Sequence, residues 1–256
     1  MKIAPVYDFR FGVVKCSTYT IPQLLNEIRN LVAKKVEVPR TINCLNAHIY
    51  NLAYKMPDLR MILDESRVVA ADGMSIVWAA RMFGVRIPER CNMTEAFRVF
   101  LLDPQMPANR AVMIGCSQSE VEAAAAKVEK LSSHCRIVFG ISGFQDATEY
   151  RKILANHSNV DFILVGMGSP KSEQMVRLAT EICPKAVVWH IGGGTIKFLA
   201  DTTKEAPLAW RRSGFQWLFR LCQDPRRMWR RYLIGIPLFV CHVLIDAIKQ
   251  RFGRQK

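Results

Sequence analysis

Residues 110–141 read RAVMIGCSQSEVEAAAAKVEKLSSHCRIVFGI, and the order of patterns in this stretch decides the fold class. Arg110–Ile114 is a short apolar run that predicts a strand. Ser117–Leu131 is rich in Ala, Glu and Lys and predicts a helix, and Arg136–Ile141 is a second apolar run. A strand, a helix and another strand of these lengths form a crossover unit of a parallel sheet. The alternation continues in both directions. Downstream, Thr148–Asn156 predicts a helix, Val160–Val165 a strand, Lys171–Ile182 a helix and Ala186–Ile191 a strand. Upstream, Val36–Leu45 leads to a strand, and Asp72–Phe83 reads as a helix opened by Asp72-Gly73. The expected fold is α/β: a Rossmann-like, mainly parallel sheet with helices on both faces.

A chain of 256 residues that is 50% hydrophobic can bury one substantial core plus a small appendage. Residues 1–206 carry the alternating pattern. Residues 207–256 form a basic, amphipathic C-terminal appendage that we expect to be helical and membrane-associating. From Lys204 onward twelve Lys/Arg face three acids, so this last fifth holds +9 of the net +14. Such a block calls for a polyanionic partner: a pyrophosphate, an anionic lipid surface or nucleic acid. Trp210, Trp217, Phe219, Trp229 and Tyr232 alternate with the arginines, and Tyr232–Ile248 (YLIGIPLFVCHVLIDAI) follows. That segment is apolar but shorter than the roughly twenty residues of a membrane span. It reads as an interfacial helix, with a buried core helix as the alternative. The apolar run favours a membrane over nucleic acid as the basic segment's partner, and nucleic acid is not expected. The eight cysteines have no CxxC pair and no metal-ligand spacing, so they read as buried thiols in a reducing compartment. The opening MKIAPVYDFRFG lacks the apolar core of a signal peptide. The expected location is therefore the cytoplasm, at the inner face of the cell membrane.

Ligands of open α/β sheets bind at the carboxyl ends of the strands. Three predicted strands run there into glycine loops: Gly115 in Ile114–Ser117, Gly166 and Gly168 in Val165–Pro170, and Gly193 in Ile191–Thr195. Glycine allows backbone N–H groups to approach a phosphate, although strand-to-helix turns use glycine in any case. No GxGxxG and no GxxxxGK[ST] occurs, which removes support from dinucleotide oxidoreductases and P-loop kinases.

Four stretches carry a resemblance to a known family: ADGMSIV (71–77), LVGMGSPKSE (164–173), HIGGGTIKFLADTTKEAPLAW (190–210) and SGFQWLFRLCQDPRRMWRRY (213–232). They resemble the WecG/TagA/CpsF glycosyltransferases, glycosyltransferase family 26. The resemblance implies transfer of a hexose, an N-acetylhexosamine or its uronic acid from a UDP-sugar to a polyprenyl-diphosphate-linked sugar, in building a bacterial surface polysaccharide. It implies no cofactor and no catalytic metal, and no DxD motif is present. Asp72 matches the family's proposed base, a role that suits a carboxylate able to take a proton from an attacking hydroxyl. An N-cap is the bland alternative for that aspartate. Asn46 and Arg90 match pocket residues, and Glu173 closes the PKSE stretch. Cys44 and Ser172 replace a pocket threonine and glutamine, while Lys197 and Glu205 stand at positions usually acidic and basic. Arg226, Arg227, Arg230 and Arg231 match the arginine-rich end of the signature, where cations would neutralise the departing pyrophosphate. A non-enzymatic membrane or nucleic-acid adaptor is the competing reading, and it leaves Asp72 without a role.

Overall fold

The computed structural model describes residues 5–33, 39–207, 209–210 and 214–253. Residues 36–38 of the expected first strand lie outside that set. Eight strands form one sheet: β1 Asp8–Phe11, β2 Val14–Ser17, β3 Thr41–Leu45, β4 Val68–Ala71, β5 Asn109–Gly115, β6 Cys135–Ile141, β7 Phe162–Gly166 and β8 Val187–His190. Their order is β1-β2-β4-β3-β8-β7-β5-β6, and every pairing is parallel except β1 with β2. The helices are α1 Ile21–Ala33, α2 Ala47–Lys55, α3 Pro57–Glu65, α4 Met74–Ala80, α5 Met93–Leu102, α6 Gln118–Leu131, α7 Ala147–Asn156, α8 Lys171–Ile182 and α9 Gly193–Leu199. After them come Gln216–Gln223, Pro225–Trp229, a π-helical stretch Arg230–Ile234 and the C-terminal helix Gly235–Gly253. The α/β, mainly parallel architecture is the expected one. Periodicity did not single out the N-terminal hairpin β1–β2, strand β4, or helices α1, α2, α3 and α5.

Local chemistry explains the element boundaries in the quoted stretch. Ser117 caps α6 by accepting from the Glu120 N–H, and the Glu120 carboxylate accepts from the Ser117 N–H in return. This reciprocal pairing satisfies two backbone donors at the helix start. Alternate residues of the central strands point to opposite faces. Ala111, Met113, Phe162, Leu164, Val187 and Trp189 join one apolar cluster, whereas Val112, Ile114, Ile163, Val165 and Val188 join the other. Both faces are thus covered, as strands written as near-continuous apolar runs require.

The glycines at the strand ends are fixed by packing. Gly115 has φ +152°, and a Cβ there would sit 2.2 Å from the Gly166 carbonyl oxygen. A Cβ on Gly166 would come within 3.0 Å of the Gly192 oxygen, and one on Gly193 within 3.0 Å of the Gly166 oxygen. The ends of β5, β7 and β8 therefore touch backbone to backbone. Gly115→Ala is expected to destabilise the fold by at least about 2 kcal/mol, because the obstructing atoms are backbone and cannot rotate away. A chemical-denaturation midpoint equal to that of the parent would contradict this.

The C-terminal helix is part of the same body. Phe239, Val243 and Ala247 belong to the main apolar cluster. The Phe239 ring stands edge-on to Tyr50 at 5.4 Å and stacks near Phe11 at 6.4 Å. Buried Asp246 accepts hydrogen bonds from the Tyr50 and Tyr54 hydroxyls, His242 stacks on Tyr54 at 3.8 Å, and Asn51 Nδ2 donates to the Gly235 carbonyl. The inner face of 232–248 is thus core, while Leu233, Ile234, Ile245, Ile248 and Phe252 are exposed. The thiols depart from expectation in one respect: six of the eight cysteines are buried, but Cys222 and Cys241 are exposed. These two lie on the outer sides of the C-terminal helices, which none of the described residues covers.

Candidate active site

Register places the two residues that open the site. Leu45 and Ala71 are partners in the parallel β3–β4 ladder, and the Asp72 N–H donates to the Leu45 carbonyl at 2.9 Å. Asn46 and Asp72, the next residues of each strand, are therefore neighbours at the carboxyl edge of the sheet. Asn46 caps α2, accepting from the N–H groups of His48 and Ile49. Asp72 does not cap α4: the N-cap is Gly73, and no side chain fills that role. Instead, Asp72 Oδ1 accepts from Asn92 Nδ2 at 3.0 Å and from the Met93 N–H at 3.1 Å, at the start of α5. Among the described residues, Oδ2 has no protein donor. A carboxylate anchored by one oxygen keeps the other for a ligand.

These residues line a cleft of about 530 Å³ whose polar end gathers Asn46, His48, Asp72, Arg90, Asn92, Gln216, Arg220 and Arg231. Two of the walls come from distant parts of the chain. Arg90 donates to Gln216 Oε1 at 2.8 Å, tying the loop before α5 to helix Gln216–Gln223. Arg231 enters from the π-helical stretch, where one extra residue per turn re-aims side chains. Burial, with the nearby Arg220, pulls the Arg231 pKa down, while Tyr232 and the Asp72 carboxylate oppose that shift. Among the described residues neither Arg220 nor Arg231 has an ion-pair partner. Two neighbouring guanidiniums without an ion pair, in a half-buried cleft, are chemically suited to an anion such as a diphosphate.

His48 responds to the same field. Burial, and then the Arg231 charge, lower its pKa to about 4, so the ring is neutral at ordinary pH. The unfolded chain binds this proton from about pH 6.5 downward and the folded chain does not, so His48 opposes folding increasingly as pH falls from 6.5 towards 4. His48→Gln is expected to flatten the acid limb of the stability profile across that window. An unchanged limb in denaturation curves taken between pH 7 and 4 would contradict it.

The structure separates the remaining candidates. Cys44 is buried just behind the cleft, its thiol pKa raised by burial first and then by the Asp72 and Glu173 charges. Ser172 and Glu173 are fully buried and line no open surface. Ser172 Oγ accepts from the Met167 N–H, and Glu173 accepts from Ser169 Oγ at 2.7 Å with His190 Nδ1 3.6 Å away. Ser172 and Glu173 thus shape the β7–α8 turn and do not meet a sugar in this geometry. Gly115, Gly166, Gly168 and Gly193 line no part of the cleft. The nearest link to these loops is Arg220, whose guanidinium lies 3.5 Å from where a Gly194 Cβ would stand. Of the signature arginines whose side chains are described, Arg226, Arg230 and Arg231, only Arg231 enters the cleft. Arg226 and Arg230 are exposed, Arg230 lying over the Trp229 ring at 5.2 Å, and the side chain of Arg227 is outside the described set. The unusual charges at 197 and 205 are absorbed locally: Lys197 lies 3.6 Å from Glu120, and Glu205 lies 3.6 Å from Arg98.

Sequence reasoning missed Arg220, His48 and Trp78. Arg220 sits in the stretch that carries the resemblance, eleven residues before Arg231, but the dense arginine run beyond it drew the assignment.

The model of the glycosyl transferase WecG/TagA/CpsF family matches residues 9–253, almost the whole chain. Among similar proteins, the N-acetylglucosaminyldiphosphoundecaprenol N-acetyl-beta-D-mannosaminyltransferase of Bacillus subtilis (strain 168) is 26% identical over 210 residues, covering 81% of this chain and 80% of its own. The protein of the same name from Staphylococcus aureus (strain MW2) is 23% identical over 223 residues, covering 86% of each.

Proposed function

From the premise that the chain belongs to the WecG/TagA/CpsF glycosyltransferase family, we propose that it moves a hexose, an N-acetylhexosamine or its uronic acid from a UDP-sugar to a polyprenyl-diphosphate-linked sugar. The product is a precursor of a bacterial surface polysaccharide. The observation that carries this reading is the Asp72 carboxylate, held through one oxygen beneath a cleft into which Arg90, Arg220 and Arg231 converge. Asp72 Oδ2 takes the proton of the acceptor hydroxyl as its oxygen attacks the anomeric carbon. The bond from that carbon to the UDP oxygen breaks, and the electron pair leaves with the diphosphate. Arg220 and Arg231 stabilise the charge that builds on it, a task that preorganised cations perform well. Arg90, fixed by Gln216, and Asn46 orient the sugars.

Among the described residues no group of His, Cys, Asp and Glu is placed to hold a metal ion, and the two guanidiniums supply the cations. UDP binding is therefore expected to be independent of divalent metal. UDP at a hundredfold excess over its Kd should stabilise the protein by about 2.7 kcal/mol, equally in EDTA and in Mg²⁺. Absence of any UDP effect would favour the adaptor reading, and stabilisation only with Mg²⁺ would refute the arginine assignment.

The C-terminal helix supports attachment to an anionic membrane at the cytoplasmic face. Arg230–Phe252 is long and apolar enough to cross a membrane. Its inner face, including buried Asp246, is committed to the core, which favours lying on the surface over spanning it. Exposed Ile245, Ile248 and Phe252, with Lys249 and Arg251 beside them, form the contact.

A further inference from the structure

The proposed chemistry uses only the polar end of the cleft, yet the cleft continues as an apolar gutter between two helices. On one side Met74 and Trp78 of α4 and Met82 of the 3₁₀ turn after it recur every four residues, so they share a face. On the other side Ile236, Val240 and Leu244 of the C-terminal helix do the same. Both rows start at the reacting groups: Met74 is two residues after Asp72, and Ile236 is five after Arg231. At about 1.5 Å per helical residue, each row runs on for about 12 Å. The outer side chains have no cover: Trp78 is 52% exposed, Met82 39%, Val240 47% and Leu244 44%. Around the C-terminal helix this row lies beside the core-facing Phe239–Val243–Ala247 row; Ile248 and Phe252 continue it past the cleft at the same four-residue spacing, and Ile245 lies about 100° further round the helix. None of Ile245, Ile248 and Phe252 lines the cleft, and Ile245 also stands apart from the gutter row around the helix.

We infer that the outer half of the cleft is a subsite for the polyprenyl chain of the acceptor. The isoprene units next to the diphosphate lie between Trp78 and Met82 on one wall and Val240 and Leu244 on the other. The inference rests on the proposed reaction for the identity of the acceptor. Its own support is the continuity of one cleft that joins an unneutralised cationic end to an exposed apolar end. That is the polarity of a lipid diphosphate, and an apolar patch of this kind marks a ligand groove or an interface. The subsite gives the enzyme a way to prefer lipid-linked acceptors by contact as well as by co-localisation on a membrane.

The test compares two acceptors in detergent micelles, N-acetylglucosamine diphosphate carrying either a polyprenyl chain or a methyl group in its place. Wild type should favour the polyprenyl acceptor in kcat/KM. Met82→Glu and Leu244→Glu should each lower that preference by about tenfold or more, the scale of losing one well-buried apolar side chain. Ile245→Glu should keep the preference and weaken only binding to vesicles. An unchanged preference in both gutter variants overturns the subsite. So does a wild type that sediments as a dimer and becomes monomeric in the gutter variants with preference intact, since a second copy would then cover the face. If wild type transfers to neither acceptor, the proposed reaction fails, and binding of polyprenyl diphosphate itself decides the subsite. A Kd weakened about tenfold in the two variants supports it on the same scale, and equal Kd values overturn it.

Discussion

Asp72→Asn is expected to lower turnover by about a hundredfold or more, the scale of removing a positioned general base, while melting temperature and UDP affinity stay close to those of the parent. The amide has nearly the shape of the carboxylate, and its oxygen still accepts from Asn92 Nδ2 and the Met93 N–H. Asp72 does not cap α4, so the substitution costs no cap. Loss of activity with retained fold isolates the chemistry, because Asn cannot take a proton from the acceptor hydroxyl. Initial rates at saturating donor and acceptor check it. Near-parental turnover would remove Asp72 from the mechanism and leave the residue a purely structural link between β4 and α5.

Truncation after Tyr232 is expected to unfold or severely destabilise the protein and to abolish transfer even to a water-soluble acceptor. Composition alone suggests a detachable anchor, but the packing opposes that view. The deletion removes Phe239, Val243 and Ala247 from the main core and uncovers Phe11 and Tyr50. At about 1.5–3 kcal/mol per large apolar side chain, together with the lost hydrogen bonds of Asp246, the cost approaches the whole stability of an ordinary domain, about 5–15 kcal/mol. The milder Asp246→Ala keeps the apolar contacts but leaves the buried Tyr50 hydroxyl without its acceptor. It should cost about 1–3 kcal/mol. Thermal melts followed by circular dichroism measure both. A truncated protein that melts like the parent and remains active on soluble acceptor would show that the inner face of the helix contributes nothing.

What could be read from the sequence divides along physical lines. The βαβ alternation was legible because buried parallel strands are written as apolar runs, and five of them, β3 and β5 to β8, stand where those runs stand. Strand β4, four residues long and placed directly before Asp72-Gly73, gave no run long enough to notice. Asn46, Asp72 and Arg90 were marked by the resemblance, and the structure brings them to one cleft. At the glycine loops, Gly115, Gly166 and Gly193 are required by three backbones packing against one another, a requirement that looks the same in sequence as a phosphate cradle. Arg220 and Arg231 converge through a π-helical turn, and no spacing rule announces such a turn. The inner face of the C-terminal helix was hidden for a related reason. Its core contacts lie on strand β1 and helix α2, near the other end of the chain, and the one polar residue that fixes it, Asp246, reads in sequence as an interruption of an apolar run.

The most direct test of the central claim is mass spectrometry of a polyprenyl-diphosphate-linked N-acetylglucosamine incubated with a panel of UDP-sugars in EDTA, using wild type and Asp72→Asn side by side. The account predicts that wild type adds one sugar residue from at least one donor, with one UDP released per sugar added, and that Asp72→Asn does so about a hundredfold more slowly or worse. Equal transfer by the two proteins, or a lipid-linked sugar left unchanged by wild type across the whole panel, would contradict it.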